Sequence, residues 1–192
     1  MTLVSSVRLP LLALASVCLA TTPLLAQDAP AWTLQAEEST LQFVASLQGA
    51  PVNGTFERFD AAIALDPAVP ETGAVTITVD ITSATTDNAQ ANAAIATADW
   101  FAAETFGQAV FQSDAISGAD GAYVAEGTLT IRDQAVPVSV PFTLTVEGDR
   151  AAAVGSLTLD RTAFGIGQGS FAGPEPVAHE VEVTFAIQAT AG

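Results

Sequence analysis

Glu126-Gly127-Thr128-Leu129-Thr130-Ile131-Arg132-Asp133-Gln134-Ala135-Val136-Pro137-Val138-Ser139-Val140-Pro141-Phe142-Thr143-Leu144 contains two strands and a reversal. Tyr123, Ala125, Gly127, Leu129 and Ile131 share one parity, and Glu126, Thr128, Thr130 and Arg132 take the other. After a polar break, Val136, Val138, Val140, Phe142, Leu144 and Val146 alternate with Pro137, Ser139, Pro141, Thr143 and Thr145. Neighbouring strand residues point to opposite faces, so alternation this long puts one face in a core and the other in water. Arg132 to Ala135 reads as a hairpin connection pairing Ile131 with Val136, which sets both apolar series on one face.

The alternation continues on both sides. Gly148-Asp149 is a tight-turn signal that pairs Glu147 with Arg150. The inner face of the next strand is then Ala151, Ala153, Gly155, Leu157 and Leu159, with Phe142 opposite Gly155. Upstream, Ser117 to Gly121 reads as a turn, and pairing Ile116 with Ala122 seats Phe111 opposite the bare backbone of Gly127. Further strands are expected over 32–34, 39–48, 52–66, 75–81 and 177–187, with breaks at Gly49-Ala50-Pro51 and from Pro67 to Gly73. Phe56 and Phe59 stand three apart, which violates a period of two and signals a bulge near Arg58.

Residues 85–103 differ in kind. They are alanine-rich, with Thr86 or Asp87 available as an N-cap, and predict a short helical insert near 88–103. The glycine-rich run Phe164 to Gly169, leading to Pro174 and Pro176, is too irregular for ladder pairing. About eight consecutive antiparallel strands make an all-β fold, a closed up-and-down barrel, with a two-sheet sandwich as the competitor. A barrel of that size is either filled by its own side chains or holds one slender ligand.

Arg8 is the only charge before Asp28, and the apolar run from Leu9 continues through Leu25. This predicts a signal peptide over 1–26, with Ala20 as the alternative cleavage position, and a single domain over 27–192. Cys18 lies in the leader, so the domain is expected to have no disulfide and no thiol chemistry. The chain has 21 acidic residues and a formal charge of −16. Beyond the leader its only cations are Arg58, Arg132, Arg150 and Arg161, and it has no lysine. Such a surface repels phosphate, which argues against a nucleic-acid partner. One histidine and no mature cysteine argue against a metal site. No Gly-x-Ser-x-Gly elbow is present, and Gly165-Ile166-Gly167-Gln168-Gly169 lacks the Lys-Ser/Thr of a phosphate loop, so no enzyme activity is expected.

A series of motifs carries a family resemblance. It runs from Trp32 with Ser39, Leu41 and Phe43 to Gly54-Thr55-Phe56 with Phe59, then Asp99-Trp100-Phe101 and Phe111. It continues through Gly127-Thr128-Leu129-Thr130-Ile131-Arg132, Pro137-Val138 and Pro141-Phe142, and closes on Leu159-Asp160-Arg161 with Phe164 to Gly169. This order resembles the YceI-like family of secreted bacterial proteins over essentially the whole mature chain. The resemblance implies a lipocalin-like antiparallel barrel in the periplasm whose interior holds a polyisoprenoid, a quinone or a fatty amide. No other cofactor is implied. A membrane-associated lipid or quinone system is the implied partner, and a homodimer is compatible. One segment departs from the family: Ala91-Asn92-Ala93-Ala94-Ile95 stands where members often carry Arg-Asp-x-His-Leu. Loss of that arginine and histidine moves the expectation from a pyrophosphate head to a neutral one.

The expected ligand contacts are Phe43, Phe56, Phe59, Ile77, Trp100, Phe101, Phe111, Leu129, Val140, Phe142, Leu144, Leu157, Phe164 and His179. For each aromatic, core packing is the competing role. Trp100-Phe101 is expected to close one mouth as a lid or to pin the insert, and Arg161 to pair with Asp160 or, second, to contact a head group. The small residues Gly127, Ala151, Ala153 and Gly155 suggest an unfilled interior, so Gly155→Leu is expected to lower ligand uptake more than stability. The alternative function is a filled barrel acting through its acidic exterior.

Overall fold

A computed structural model describes residues 29–192; the leader expected over 1–26 lies outside them. Eleven strand segments merge into the eight staves of a closed antiparallel barrel. The first stave is β1 (Ala31–Leu34) and β2 (Thr40–Leu47), which run along the same edge of β11 (Glu180–Ala191). Leu34 pairs with Ala189 and Thr40 with Ala186, and the surplus residues are taken up by the 3₁₀ turn Ala36–Glu38. The second stave is β3 (Ala50–Phe56) and β4 (Phe59–Ala64), and the third is β5 (Ala74–Asp80) and β6 (Ala84–Thr86). Then come β7 (Gln108–Ala119), β8 (Ala122–Ile131), β9 (Gln134–Glu147) and β10 (Arg150–Asp160), each paired with its neighbour. β11 pairs with β10 on one edge and with β1 and β2 on the other, which leaves the ring no open edge.

The structure corrects two registers. Leu129 pairs with Val136 and Ile131 with Gln134, so the central hairpin closes in two residues, Arg132-Asp133, rather than four. Arg132 takes a left-handed φ of +58° there. The shift of two keeps every side chain on its expected face, because strand parity repeats every second residue. Phe111 faces Leu129 rather than Gly127, and the ladder slips at Asp114 in a β-bulge that the sequence pattern does not mark. The pairing of Glu147 with Arg150, and of Phe142 with Gly155, is as expected.

Smaller boundaries also move. The chain reverses at Asp120-Gly121, so β7 runs past Ser117, and Ala50 and Pro51 belong to β3 rather than to the preceding break. The strand expected over 52–66 is interrupted at Glu57-Arg58, where the bulge was anticipated. The helical insert is α1 (Ala89–Ile95), capped by neither Thr86 nor Asp87 but by Asn88, whose side chain accepts from the N–H groups of Gln90 and Ala91.

Two long excursions leave the same end of the barrel: 87–107, carrying α1, and 161–179. Two Asp-x-Thr turns stand at this end, one between β5 and β6 and one leading from β10 into 161–179. Asp80 accepts from Thr82 and Asp160 from Thr162, through both backbone N–H and hydroxyl. Together the excursions make the floor. Phe164 is 1 % exposed, Ile81 2 % and Ile166 6 %, with Trp100 and Phe101 packed against them.

The barrel interior as candidate functional site

Inward-pointing side chains normally vanish from solvent in a filled barrel. Here Val138, Val140, Leu157 and Val183 point inward yet are only half-buried, because they border a void. The cavity is about 220 Å³ and every residue lining it is apolar. It runs from Phe56, Ile81 and Leu159 above the floor to Trp32, Pro67 and Val146 at the opposite end. Val146 belongs to the inward series of β9 and is still 39 % exposed, so the cavity reaches the surface beside the β9–β10 turn. This end is the rim.

Nine of the residues singled out in the sequence line the cavity: Phe56, Phe59, Ile77, Phe111, Leu129, Val140, Phe142, Leu144 and Leu157. The other five lie elsewhere. Phe43 sits flat over Gly54, its cross-strand partner, with its ring centroid 5.2 Å from that of Phe56. Trp100, Phe101 and Phe164 belong to the floor, where Trp100 packs 5.3 Å from Phe171, so the aromatic pair plugs one end instead of gating it. His179 lies outside the lining, its Nε2 3.2 Å from the Ala172 carbonyl; it precedes β11, so strand parity does not govern it. Conversely, Leu41, Val138, Phe185 and Ile187 line the cavity without having been singled out. Their parity with chosen neighbours was the available signal.

The small inner residues divide. Ala151 and Ala153 border the void, but Gly155 does not. A Cβ on Gly155 would stand 2.4 Å from the Pro141 carbonyl oxygen and 2.5 Å from Cζ of Phe185, its cross-strand partner. Gly127 likewise lies under the edge of Phe111, which reaches it on the diagonal. These glycines are seats for inner aromatics rather than signs of empty space. The expectation for Gly155→Leu is therefore reversed: the fold suffers first.

The floor is held by two arginines. Arg161, 3 % exposed, makes no ion pair with Asp160; its guanidinium donates to the carbonyls of Ala178, Ile166, Gly167, Phe171, Gly173 and Val177. Burial lowers its pKa from the usual arginine value, with the nearby Asp160 charge opposing. Arg132, whose left-handed φ belongs to the two-residue hairpin turn, donates to the carbonyls of Trp100 and Gly165, one in each excursion. Gly167 and Gln168 N–H groups both donate to the Asp99 backbone carbonyl. Hydrogen bonds from Thr162 and Thr82 hold Asp160 and Asp80 below the usual carboxylate range, with the Arg58 guanidinium adding to the effect at Asp80. Among the described residues no cluster of three metal-ligating side chains forms.

A small closed barrel with a wholly apolar interior, sealed at one end, defines a class of binding scaffold. Residues 32–189 match the YceI-like domain, and the chain belongs to that family. Among curated relatives it is similar to a UPF0312 protein of Ectopseudomonas mendocina, 31 % identical over 120 residues, 59 % of this chain and 63 % of that one. A Pseudomonas fluorescens UPF0312 protein is 28 % identical over 145 residues, 71 % of this chain and 72 % of that one. The fold resembles Burkholderia cenocepacia BcnA, with 34 % identity, a TM-score of 0.78, and coverage of 82 % of this chain and 99 % of the other. It also resembles a polyisoprenoid binding domain from Saccharophagus degradans, with 16 % identity, a TM-score of 0.68, and coverage of 85 % and 99 %.

Proposed function

We propose that this protein binds a long apolar molecule, of polyisoprenoid, quinone or fatty-amide type, inside the barrel, and holds or carries it in the periplasm. The observation that carries this reading is the continuous, wholly apolar cavity open beside Val146. Its volume of about 220 Å³ exceeds the roughly 150 Å³ of a dry apolar cavity that takes up benzene. Each buried methylene contributes about 0.8 kcal/mol, so a modest tunnel gives useful affinity without a polar anchor. Family membership supports the reading, as does the fold-level likeness to a domain described as polyisoprenoid binding. A barrel acting only through its acidic exterior would have no use for an internal void.

The test is mass analysis of lipid co-purified with the secreted protein, alongside uptake by stripped protein. Ala153→Phe, which fills the cavity from the wall, is expected to abolish uptake while the β spectrum stays intact. Stripped wild-type protein that takes up no isoprenoid alcohol, quinone or fatty amide would overturn the reading.

A further inference from the structure

Polar groups at inner-face positions are already bonded to the protein. Trp32 Nε1 donates to the Leu65 carbonyl at 2.9 Å, and the Tyr123 hydroxyl to the Pro67 carbonyl at 3.2 Å. Ser113, beside the β7 bulge, accepts from the Val75 N–H at 2.8 Å. Among the described residues no buried side-chain nitrogen or oxygen lacks a partner. The interior therefore offers a guest dispersion and desolvation but no hydrogen bond, and any head group must stay at the rim.

Among the described residues the rim has one cation, Arg150 at the end of the β9–β10 turn, which lies on the outer face opposite Glu147 and is already paired with Glu38. Arg58 pairs with Asp80 at 2.8 Å, and Arg132 and Arg161 are committed to floor carbonyls. There is no lysine in the chain. The loops and turns at the rim carry Asp66, Glu71, Asp120, Glu147 and Asp149 instead. A phosphate there would gain no charge-assisted bond and would meet the field of a chain with formal charge −16.

We propose that the barrel selects a hydrocarbon tail bearing an uncharged head, and discriminates against the same tail bearing a phosphate. This rests on the interior being the binding site. The experiment compares geranylgeraniol with geranylgeranyl phosphate, which share one tail, by competition against a fluorescent fatty probe at low and high salt. The alcohol is expected to bind at least about tenfold more tightly at low ionic strength, with the gap narrowing as salt screens the rim. Val146→Lys, which sets a cation at the opening, is expected to bring the phosphate close to the alcohol. Equal or tighter binding of the phosphate by the wild type would overturn the inference, and so would an unchanged ratio in Val146→Lys. Failure of both compounds to bind would instead overturn the reading of the cavity as a site.

Discussion

At the floor, Phe164 is 1 % exposed and Arg161 3 %, and two arginines bind backbone carbonyls drawn from both excursions. At the rim, Val146 is 39 % exposed, and the 65–73 loop is tied down by side-chain bonds from Trp32 and Tyr123 and by the Leu65 N–H to the Pro30 carbonyl. Both ends bury apolar side chains, Ile116 at 1 % and Leu65 at 5 % on the rim side, yet only the floor is crossed by arginines bonded to backbone carbonyls. The apolar wall supplies affinity at either end, so the difference teaches that polar bonding here serves closure and leaves the guest to the hydrophobic effect.

The largest expected effect breaks the floor. Arg161→Met leaves six carbonyls without their donor and should destabilise the fold by about 3–5 kcal/mol, read from urea midpoints. Phe164→Ala should cost about 3–5 kcal/mol in the same assay, whereas Val146→Ala at the rim should stay within about 0.5 kcal/mol. Equal losses at the two positions would erase the contrast. Arg132→Met removes one donor shared by the excursions and leaves the left-handed turn as strained as before, so a loss of about 1–2 kcal/mol is expected, with faster amide exchange over 97–106 and 164–168.

The smallest effect concerns acid. Asp160 and Asp80 titrate below their ordinary value of 3.8 in the folded protein, so their contribution is present above that value and disappears as pH falls through the lower folded pKa. Unfolding followed from pH 5 downward should show the floor excursions opening before the rim strands, and Asp160→Asn should flatten part of that acid slope.

Much of the wall was legible because strand parity survives errors of register. A hairpin two residues out of register still put Leu129, Val140 and Leu157 on the inner face. The glycines misled because a missing side chain looks the same whether it borders a void or a phenylalanine, and only three-dimensional pairing separates Ala153 from Gly155. The acceptors of Arg161 are hidden from the sequence for a related reason. Asp160 beside it in sequence suggested an ion pair, while its acceptors are carbonyls of a loop whose path no periodicity describes.

The seam between β1 and β11 has a kinetic consequence. Trp32 meets Ala191 across nearly the whole length of the domain, so closing the ring is the contact of longest sequence separation and the costliest in chain entropy. Every other neighbouring pair of staves joins consecutive stretches of chain and can form progressively. Until β11 is added the ring cannot close, and the apolar inner faces of the other staves have no partner across the barrel.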